Sequence, residues 1–145
     1  WELMELASYL EDRFDLQVVM DVRGDEALKH AKIFRPTVIL TEIYLDGLGG
    51  IELCRRLRKK DTFKDALIVA ITAFEGEERG NPHVLNAGFN YFLPKPIHVE
   101  TLEAILETYF SFREAVESLS QDLNDPGIKP SIQDSLRHHD VKNSY

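Results

Sequence analysis

The sequence has 145 residues, 43% of them hydrophobic and 29% charged, and its formal net charge at pH 7 is −8. This length and mixture predict one globular domain. The acidic balance disfavours binding to a nucleic-acid backbone, and no apolar run approaches the roughly 18 residues of a membrane helix. We therefore expect neither nucleic acid nor a membrane as a partner. The single cysteine, Cys54, excludes an internal disulfide and predicts a reducing, cytoplasmic location.

The first third of the chain alternates between helix and strand patterns. WELMELASYLEDRF (1–14) carries its apolar residues on one helical face, and LQVVMDV (16–22) is short and rich in β-branched residues, which predicts a strand. DEALKHAKIF (25–34) has the spacing of a helix. Arg35-Pro36 ends that helix, because the residue before a proline is pushed out of the α region.

The rest of the predicted domain repeats this alternation with apolar strands. The predicted strands are TVILTE (37–42), ALIVAIT (66–72) and NYFL (90–93). The predicted helices are GIELCRRLRKK (50–60), a short helix opened by Asn81-Pro82, and VETLEAILETYF (99–110). Continuous apolar strands that alternate with helices predict a parallel sheet with helices on both of its faces.

Three polar residues fall where predicted strands end. Glu42 closes TVILTE, Thr72 closes ALIVAIT, and Lys95 follows shortly after NYFL. In open parallel α/β sheets, ligands and functional residues lie at the carboxyl ends of the strands. We therefore expect Glu42, Thr72 and Lys95 to converge on one crevice.

This spacing resembles the receiver domain of two-component response regulators, over roughly residues 2 to 110. That family ends its third strand with a phosphoacceptor aspartate and its fourth with Thr or Ser, and its fifth strand is followed by Lys-Pro. Here Glu42 stands at the aspartate position, Thr72 at the hydroxyl position in "AITAF", and Lys95 in "LPKPI". "GLGGIELCRRLR" resembles the family's loop and third helix.

The resemblance implies a flavodoxin-like, doubly wound α/β fold with strand order 2-1-3-4-5 and a role in signalling rather than catalysis. It also implies that Lys95 pairs with a phosphoryl oxygen, that the Lys95–Pro96 bond is cis, and that Thr72 and Phe92 form the switch. The implied partners are proteins, either a sensor kinase or a downstream signalling protein. Mg²⁺ would be bound by an acidic pair at the end of the first strand.

Two departures from the family pattern decide the predicted function. Glu42 replaces the aspartate, and its extra methylene moves the carboxylate by about 1 Å, an error that catalysis tolerates poorly. Glu42 is expected to pair with Lys95 instead. The second departure is that the first strand and its acidic pair would precede Trp1. The printed sequence therefore offers no metal ligands, and we predict no cofactor. Mg²⁺ is expected only if an upstream acidic pair exists.

The C-terminal part of the chain continues the last helix with a heptad-like stripe. Its outer half carries apolar residues at steps of four, three and four: Phe112, Val116, Leu119 and Leu123. An exposed apolar stripe favours burial, so we predict a homodimer through this helix. The expected organisation is a receiver-like domain over 1–110, a helical extension over 111–124 and a tail over 125–145.

The leading hypothesis is an atypical receiver domain that works as a protein-interaction module without phosphorylation. The alternative is a phosphorylation-dependent receiver that uses an acidic pair upstream of Trp1 together with Glu42, or with Asp46 as a substitute carboxylate. A small flavodoxin-like hydrolase or nucleotide-binding protein is disfavoured, because neither a GxxxxGK loop nor a GxSxG turn is present.

Overall fold

The computed structural model describes residues 3–73 and 81–125. The chain divides into two units, Trp1–Leu102 and Glu103–Tyr145. The helices are α1 (Leu3–Phe14), α2 (Gly24–Phe34), α3 (Gly50–Arg58), α4 (Pro82–Leu85) and α5 (Val99–Asn124). The strands are β1 (Val38–Glu42), β2 (Leu67–Thr72) and β3 (Tyr91–Pro94), and a 3-10 turn covers Asp61–Phe63. Of the tail predicted over 125–145, residues 126–145 lie outside the described residues.

The three strands form one parallel sheet in the order β1-β2-β3. All six residues of the central strand β2 are buried, as expected for an apolar strand with a neighbour on each side and both faces covered. The alternation of parallel strands with helices confirms the predicted α/β architecture. In the predicted order 2-1-3-4-5, these strands occupy positions three, four and five.

The core lies where α2 and α3 pack beside β2. Its buried members include Leu28 and Ala31 from α2, Leu53, Cys54 and Leu57 from α3, and Phe63 and Ile68. Burying a leucine side chain fully contributes about 1.5–3 kcal/mol. This apolar packing holds α3 rigidly beside the strands whose ends carry the polar residues.

Two glycines allow the loop after β1 to approach its neighbours closely. A Cβ atom on Gly50 would lie 2.0 Å from the carbonyl oxygen of Glu42, and one on Gly24 would lie 1.6 Å from that of Leu48. The Gly50 amide donates to the Ile43 carbonyl at 2.9 Å. The end of β1 and the first turn of α3 are therefore fixed against each other at backbone distance.

The strand predicted over 16–22 is wrong: these residues form no strand, and only Arg23, just beyond them, makes an isolated bridge, to Asp46. A strand requires hydrogen bonds from a neighbouring strand. In the order 2-1-3-4-5 the second strand pairs only with the first, and none of the described residues forms that first strand. Val19, Met20 and Val22 accordingly remain exposed at 46%, 45% and 80%.

The predicted start of the short helix is confirmed in its details. The Asn81 side chain accepts a hydrogen bond from the His83 amide at 2.9 Å, and Pro82 occupies the first helical position. No helix in the ranges 3–73 and 81–125 has both the length and the apolar character needed to cross a membrane.

Candidate functional site

The carboxyl edge of the sheet gathers the three polar residues singled out in the sequence. Glu42 is the last residue of β1, Thr72 is the last residue of β2, and Lys95 directly follows β3. The register pairs Glu42 with Ile71, and Thr72 with Pro94. The Lys95 amide donates to the Thr72 carbonyl at 2.9 Å, which extends the ladder by one residue beyond β3.

Glu42 and Lys95 form a direct ion pair, in which Lys95 Nζ donates to Glu42 Oε1. The two side chains are 32% and 44% exposed, so solvent screens much of their attraction. Ion pairs of this exposure contribute about 0–1 kcal/mol to stability. The contact therefore determines where the two charged groups lie, and it contributes little to the stability of the fold.

The backbone around this ion pair is held by contacts that do not involve the ions. The Thr41 hydroxyl donates to the Glu42 carbonyl at 2.9 Å, and Gly50 lies against the same carbonyl. The peptide bond between Lys95 and Pro96 is cis. The contacts of Thr41 and Gly50 therefore hold the backbone at Glu42 independently of the ion pair.

Thr72 is joined to Lys95 by a backbone hydrogen bond, and Phe92 lies on β3, three residues before Lys95. Thr72 is buried at 4% exposure, and within the described part of the chain its hydroxyl donates no hydrogen bond to Glu42 or Lys95. Phe92 is half-buried, and its ring lies 5.6 Å from that of Phe89 in an edge-on arrangement. It packs against the small cluster of Ile43, Ala70 and Val84. The aromatic side chain therefore lies on the apolar interior beneath the crevice.

Asp46, the predicted substitute carboxylate, is exposed in the loop between β1 and α3. Its backbone carbonyl accepts a hydrogen bond from the Gly24 amide at 3.0 Å. This contact anchors the loop to the first turn of α2. No ion pair links the Asp46 carboxylate to Lys95 among the described residues.

Sequence reasoning missed a second charged pair, formed by Arg23 and Asp25 beside Gly47 of the loop after β1. Arg23 Nε lies 3.2 Å from Asp25 Oδ1. The pKa of Asp25 is lowered, chiefly by a backbone hydrogen bond at the start of α2 and further by the charge of Arg23. A Cβ atom on Gly47, whose φ is +71°, would lie 2.2 Å from Asp25 Oδ1. Arg-Gly-Asp opening a helix was the available signal.

Sequence reasoning also missed Arg58, whose side chain binds the opposite edge of the sheet. It donates to the carbonyls of Phe63 at 2.7 Å, Ala66 at 2.9 Å and Gly88 at 2.9 Å. It also donates to Asn90 Oδ1 at 2.7 Å, and that oxygen accepts from the Ile68 amide as well. In the sequence Arg58 was one of several basic residues at a helix end, with nothing to distinguish it.

The residues that the structure describes form no magnesium site. Across residues 3–73 and 81–125 no group of three or more His, Cys, Asp or Glu side chains is placed to hold a metal. Mg²⁺ requires several oxygen ligands, and the Glu42 carboxylate already binds Lys95. A parallel α/β domain with a carboxylate, a hydroxyl and a lysine at one sheet edge belongs to the flavodoxin-like fold class.

Comparison with known proteins identifies the family within that class. The sequence model of the response regulator receiver domain matches residues 3–107. The response regulator PleD of Caulobacter vibrioides is 30% identical over 116 residues, which are 79% of this chain and 25% of PleD. The response regulator GacA of Pseudomonas viridiflava is 30% identical over 128 residues, which are 87% of this chain and 58% of GacA. The chain thus spans only part of the length of these curated relatives.

Solved structures agree with this assignment. The N-terminal domain of an uncharacterized protein from Wolinella succinogenes superimposes with a TM-score of 0.69 at 27% identity, covering 77% of this chain and 87% of that one. The receiver domain of a sensor histidine kinase from Pseudomonas aeruginosa PAO1, with magnesium in its active site cleft, gives 0.64 at 26% identity, covering 74% and 88%. This chain belongs to the response regulator receiver domain family of two-component signalling.

Proposed function

We propose that this receiver domain is a protein-interaction module whose switch site holds a fixed Glu42–Lys95 ion pair in place of a transient phosphoryl group. The observation that carries the proposal is the direct contact between Lys95 Nζ and the Glu42 carboxylate. Relatives of the family leave this lysine to pair with a phosphoryl oxygen. Here a permanent side-chain carboxylate supplies the negative charge.

The extra methylene of Glu42 explains why this pair replaces phosphoryl chemistry. It moves the carboxylate about 1 Å further from the end of β1 than an aspartate would reach, and in-line attack on a phosphodonor tolerates little displacement. The same extension places the carboxylate on Lys95. The residue is therefore a poor nucleophile for phosphoryl transfer and a good partner for the lysine.

A fixed charge leaves the conformational state of the domain to be set by protein partners. A ligand shifts a conformational equilibrium only through its different affinities for the two states. In this proposal the ligand is a protein, a sensor kinase or a downstream signalling protein. The module is not an enzyme, and we place it in the cytoplasm, which the buried free thiol of Cys54 supports.

The proposal includes a homodimer formed by the outer part of α5. Three large apolar side chains are exposed there, Phe112 at 66%, Val116 at 45% and Leu119 at 56%. They recur at steps of four and three along the helix, so they share one stripe. The receiver-like part over 1–110 would then be joined to its copy through the extension over 111–124.

The test is the intact mass of the protein after incubation with acetyl phosphate and Mg²⁺. We expect no phosphoryl adduct on the unmodified protein. A control incubation uses a receiver domain with an aspartate acceptor, which must gain one phosphoryl group under the same conditions. A phosphoryl adduct on the unmodified protein would contradict the proposal. Glu42→Gln and Asp46→Asn would then show which of the two carboxylates carries the adduct.

A second measurement follows the ion pair itself. In Glu42→Asp the carboxylate retreats from Lys95 by about one bond length, so the contact is broken or lengthened. We expect amide resonances of Thr72 and Phe92 to shift in a ¹H–¹⁵N spectrum, because Thr72 is hydrogen-bonded to the Lys95 amide and Phe92 lies on β3, three residues before Lys95. Glu52→Asp, on the exposed face of α3, is the matched control and should leave those resonances unchanged.

A further inference from the structure

We infer that the amino edge of the sheet is a docking surface for a short acidic segment of a partner protein. The surface is formed by five exposed cationic side chains, which we call the basic edge: Lys32, Arg35, Lys59, Lys60 and Lys64. The inference rests on the proposed function only in taking a protein as the partner. It does not depend on the chemistry of Glu42, which lies at the carboxyl edge.

The topology of the sheet brings these cations to the same edge. Lys32 and Arg35 lie in and just after the last turn of α2, shortly before β1 starts at Val38. The other three lie between the end of α3 and the start of β2. The two strands are parallel, and the Leu67 amide of β2 donates to the Thr37 carbonyl at 2.9 Å. Both stretches therefore enter the sheet side by side, within one unit of the chain.

The local charge of this edge is opposite to that of the whole chain. Residues 29–35 and 59–65 contain six cationic side chains and two carboxylates, a net charge of +4, whereas the complete sequence carries −8. The rest of the chain therefore carries −12. A concentration of cations on an acidic protein creates a local positive potential that attracts a negatively charged group to that place.

The fold leaves the basic edge without counter-charges. Neighbouring cations on the same helices are paired, Lys29 with Glu26 and Arg56 with Glu52. Among the described residues, none of the five basic-edge side chains forms an ion pair or donates a hydrogen bond. Cations in the last turn of a helix complement its dipole, but Lys64 follows a 3-10 turn and lies at no α-helix end. These charges are therefore available to the carboxylates of a partner.

Exposed apolar side chains beside the cations favour a protein segment as the occupant. Ile33 and Phe34 lie between Lys32 and Arg35 in the sequence and are 70% and 54% exposed. A polypeptide can offer carboxylates and an apolar side chain together, whereas a phosphate backbone presents charge alone. The chemistry that fits this edge is therefore a run of Asp or Glu residues that includes an apolar residue.

The charge of the rest of the chain favours a short segment over an extended polyanion. Double-stranded DNA carries one negative charge per roughly 1.7 Å of its length, and an anionic membrane carries charge across its whole surface. Either would also approach the −12 that lies outside residues 29–35 and 59–65. A segment of about six residues spans only about 20 Å when extended, so it can contact the basic edge alone.

The first experiment measures binding of a fluorescent synthetic peptide to the full chain by fluorescence anisotropy. The probe carries about six glutamates around one leucine, a length of roughly 20 Å when extended, and its control carries glutamines in place of the glutamates. We expect saturable binding of the glutamate probe that weakens in high salt, and no binding of the glutamine peptide. Failure of the glutamate probe to bind, or equal binding of both peptides, would overturn the inference.

A pair of charge-matched variants tests whether the basic edge is responsible. Lys59→Gln/Lys60→Gln removes two unpaired cations and should weaken binding of the probe by at least about tenfold. The control, Lys29→Gln/Arg113→Gln, removes two cations that each already pair with a glutamate, and it should change binding by less than about twofold. Urea denaturation checks that both variants are folded. Equal effects would overturn the inference, because net charge alone would then attract the probe.

The second experiment locates the bound probe in a ¹H–¹⁵N spectrum. We expect the amide resonances of Lys59, Lys60 and Lys64 to shift and those of Thr72 and Lys95, at the carboxyl edge, to remain in place. Shifts confined to the carboxyl edge would overturn the inference. No phosphodonor is present, so this result is distinguishable from the phosphoryl adduct that would contradict the fixed ion pair.

The last measurement tests other occupants by competition with the bound probe. Duplex DNA and phosphatidylcholine vesicles that contain phosphatidylserine should not displace the probe at an equal concentration of negative charge. Replacing the leucine of the probe by serine should weaken binding by at least about threefold. Displacement by DNA or vesicles, or equal affinity of the leucine and serine peptides, would overturn the assignment to a protein segment.

A second copy of this chain is tested by sedimentation equilibrium without the probe. Residues 103–125 carry a net charge of −5, so they are an acidic segment that another copy could offer. We expect Lys59→Gln/Lys60→Gln to leave any self-association of the full chain within about twofold, because the basic edge receives a different protein. Self-association that this variant abolishes would overturn the inference, since the occupant would then be a second copy.

Discussion

At the amino edge of the sheet Arg58 donates hydrogen bonds to the backbone carbonyls of Phe63, Lys64, Ala66 and Gly88 and to the side-chain amide of Asn90. At the carboxyl edge Glu42 and Lys95 meet each other through partly exposed side chains. The Arg58 guanidinium joins two segments of the chain, the turn over 63–66 before β2 and the loop over 88–90 before β3. The Glu42–Lys95 pair binds nothing that the backbone requires. Within the same sheet, Arg58 holds segments of the fold together, whereas the Glu42–Lys95 pair can change without unfolding the chain.

The two sites differ in how much the stability of the fold depends on their charged side chains. A buried carbonyl deprived of its donor costs about 1–3 kcal/mol, so a change at Arg58 is expressed as unfolding. A partly exposed ion pair contributes about 0–1 kcal/mol, so a change at Glu42 can alter the surface potential of the site while the fold survives.

The largest effect is expected from Arg58→Ala. The substitution removes the Arg58 donor from the carbonyls of Ala66 and Gly88 and one of the two donors to the carbonyl of Phe63, so we expect the free energy of unfolding to fall by about 3 kcal/mol. Urea denaturation followed by circular dichroism measures it. Arg56→Ala on the same helix is the control, because the contact of Arg56 with Glu52 lies at the surface, and it should cost less than about 0.5 kcal/mol. Equal costs would contradict the architectural role of Arg58.

A smaller but still clear effect is expected from Gly50→Ala, at the carboxyl edge. The added Cβ atom would lie 2.0 Å from the Glu42 carbonyl oxygen, so either the end of β1 or the start of α3 must move, at a cost of about 1–3 kcal/mol. Gly49→Ala is the control, because its Cβ atom would meet nothing closer than the Ile43 carbonyl at 3.8 Å. Denaturation of both variants decides the matter. A neutral Gly50→Ala would show that the backbone beneath the ion pair is not fixed.

Cys54 lies on α3, four residues from Gly50 and four from Arg58, and reports on the core between the two edges. Burial raises the pKa of its thiol to about 11 from the 9.0 of an unperturbed cysteine. Between these values the unfolded chain releases a proton that the folded chain retains, so stability falls as the pH rises from about 9 towards 11. Denaturation at pH 8 and pH 10 measures the loss.

The control for that prediction is Cys54→Ala, in which this part of the pH dependence should disappear. The same variant loses apolar volume in the core, so its stability is lower at both pH values. Only the difference between pH 8 and pH 10 is compared. An unchanged difference would mean that the thiol is accessible in the folded protein.

The parts of this molecule that the sequence predicted are those with local causes. β2 could be predicted because a strand covered on both faces has an apolar run, and α4 because Asn81-Pro82 is a local start signal. Glu42, Thr72 and Lys95 could be placed at one edge because parallel strands align their carboxyl ends. Their spacing, rather than any one motif, carried the assignment.

The parts that the sequence did not predict depend on residues far apart in the chain. The segment 16–22 has the composition of a strand, but pairing needs a neighbour that the segment's own residues cannot supply. Arg58 resembles its basic neighbours until Gly88 and Asn90 are brought beside it. The approach of Gly47 to Asp25 likewise depends on how two loops meet. Local patterns determine elements, whereas contacts between elements determine which of several similar residues matters.

The smallest effect is expected at the ion pair, from a double-mutant cycle of Glu42→Gln and Lys95→Met. We expect the coupling free energy, measured by denaturation, to be below about 1 kcal/mol, because both side chains are substantially exposed. The coupling should fall further in high salt. A matched cycle on the surface pair Lys29–Glu26 should give a similarly small value.

A coupling of several kcal/mol would contradict the division between the two edges, since Glu42 and Lys95 would then be holding the fold together as Arg58 does. A small coupling combined with shifted resonances at Thr72 and Phe92 would show that the ion pair affects its surroundings without stabilising the fold. In that case the charge at the carboxyl edge could be removed, reversed or occupied by a partner with little loss of stability. Such independence from folding is what a signalling surface requires, because a site that the fold depends on cannot be varied without unfolding the protein.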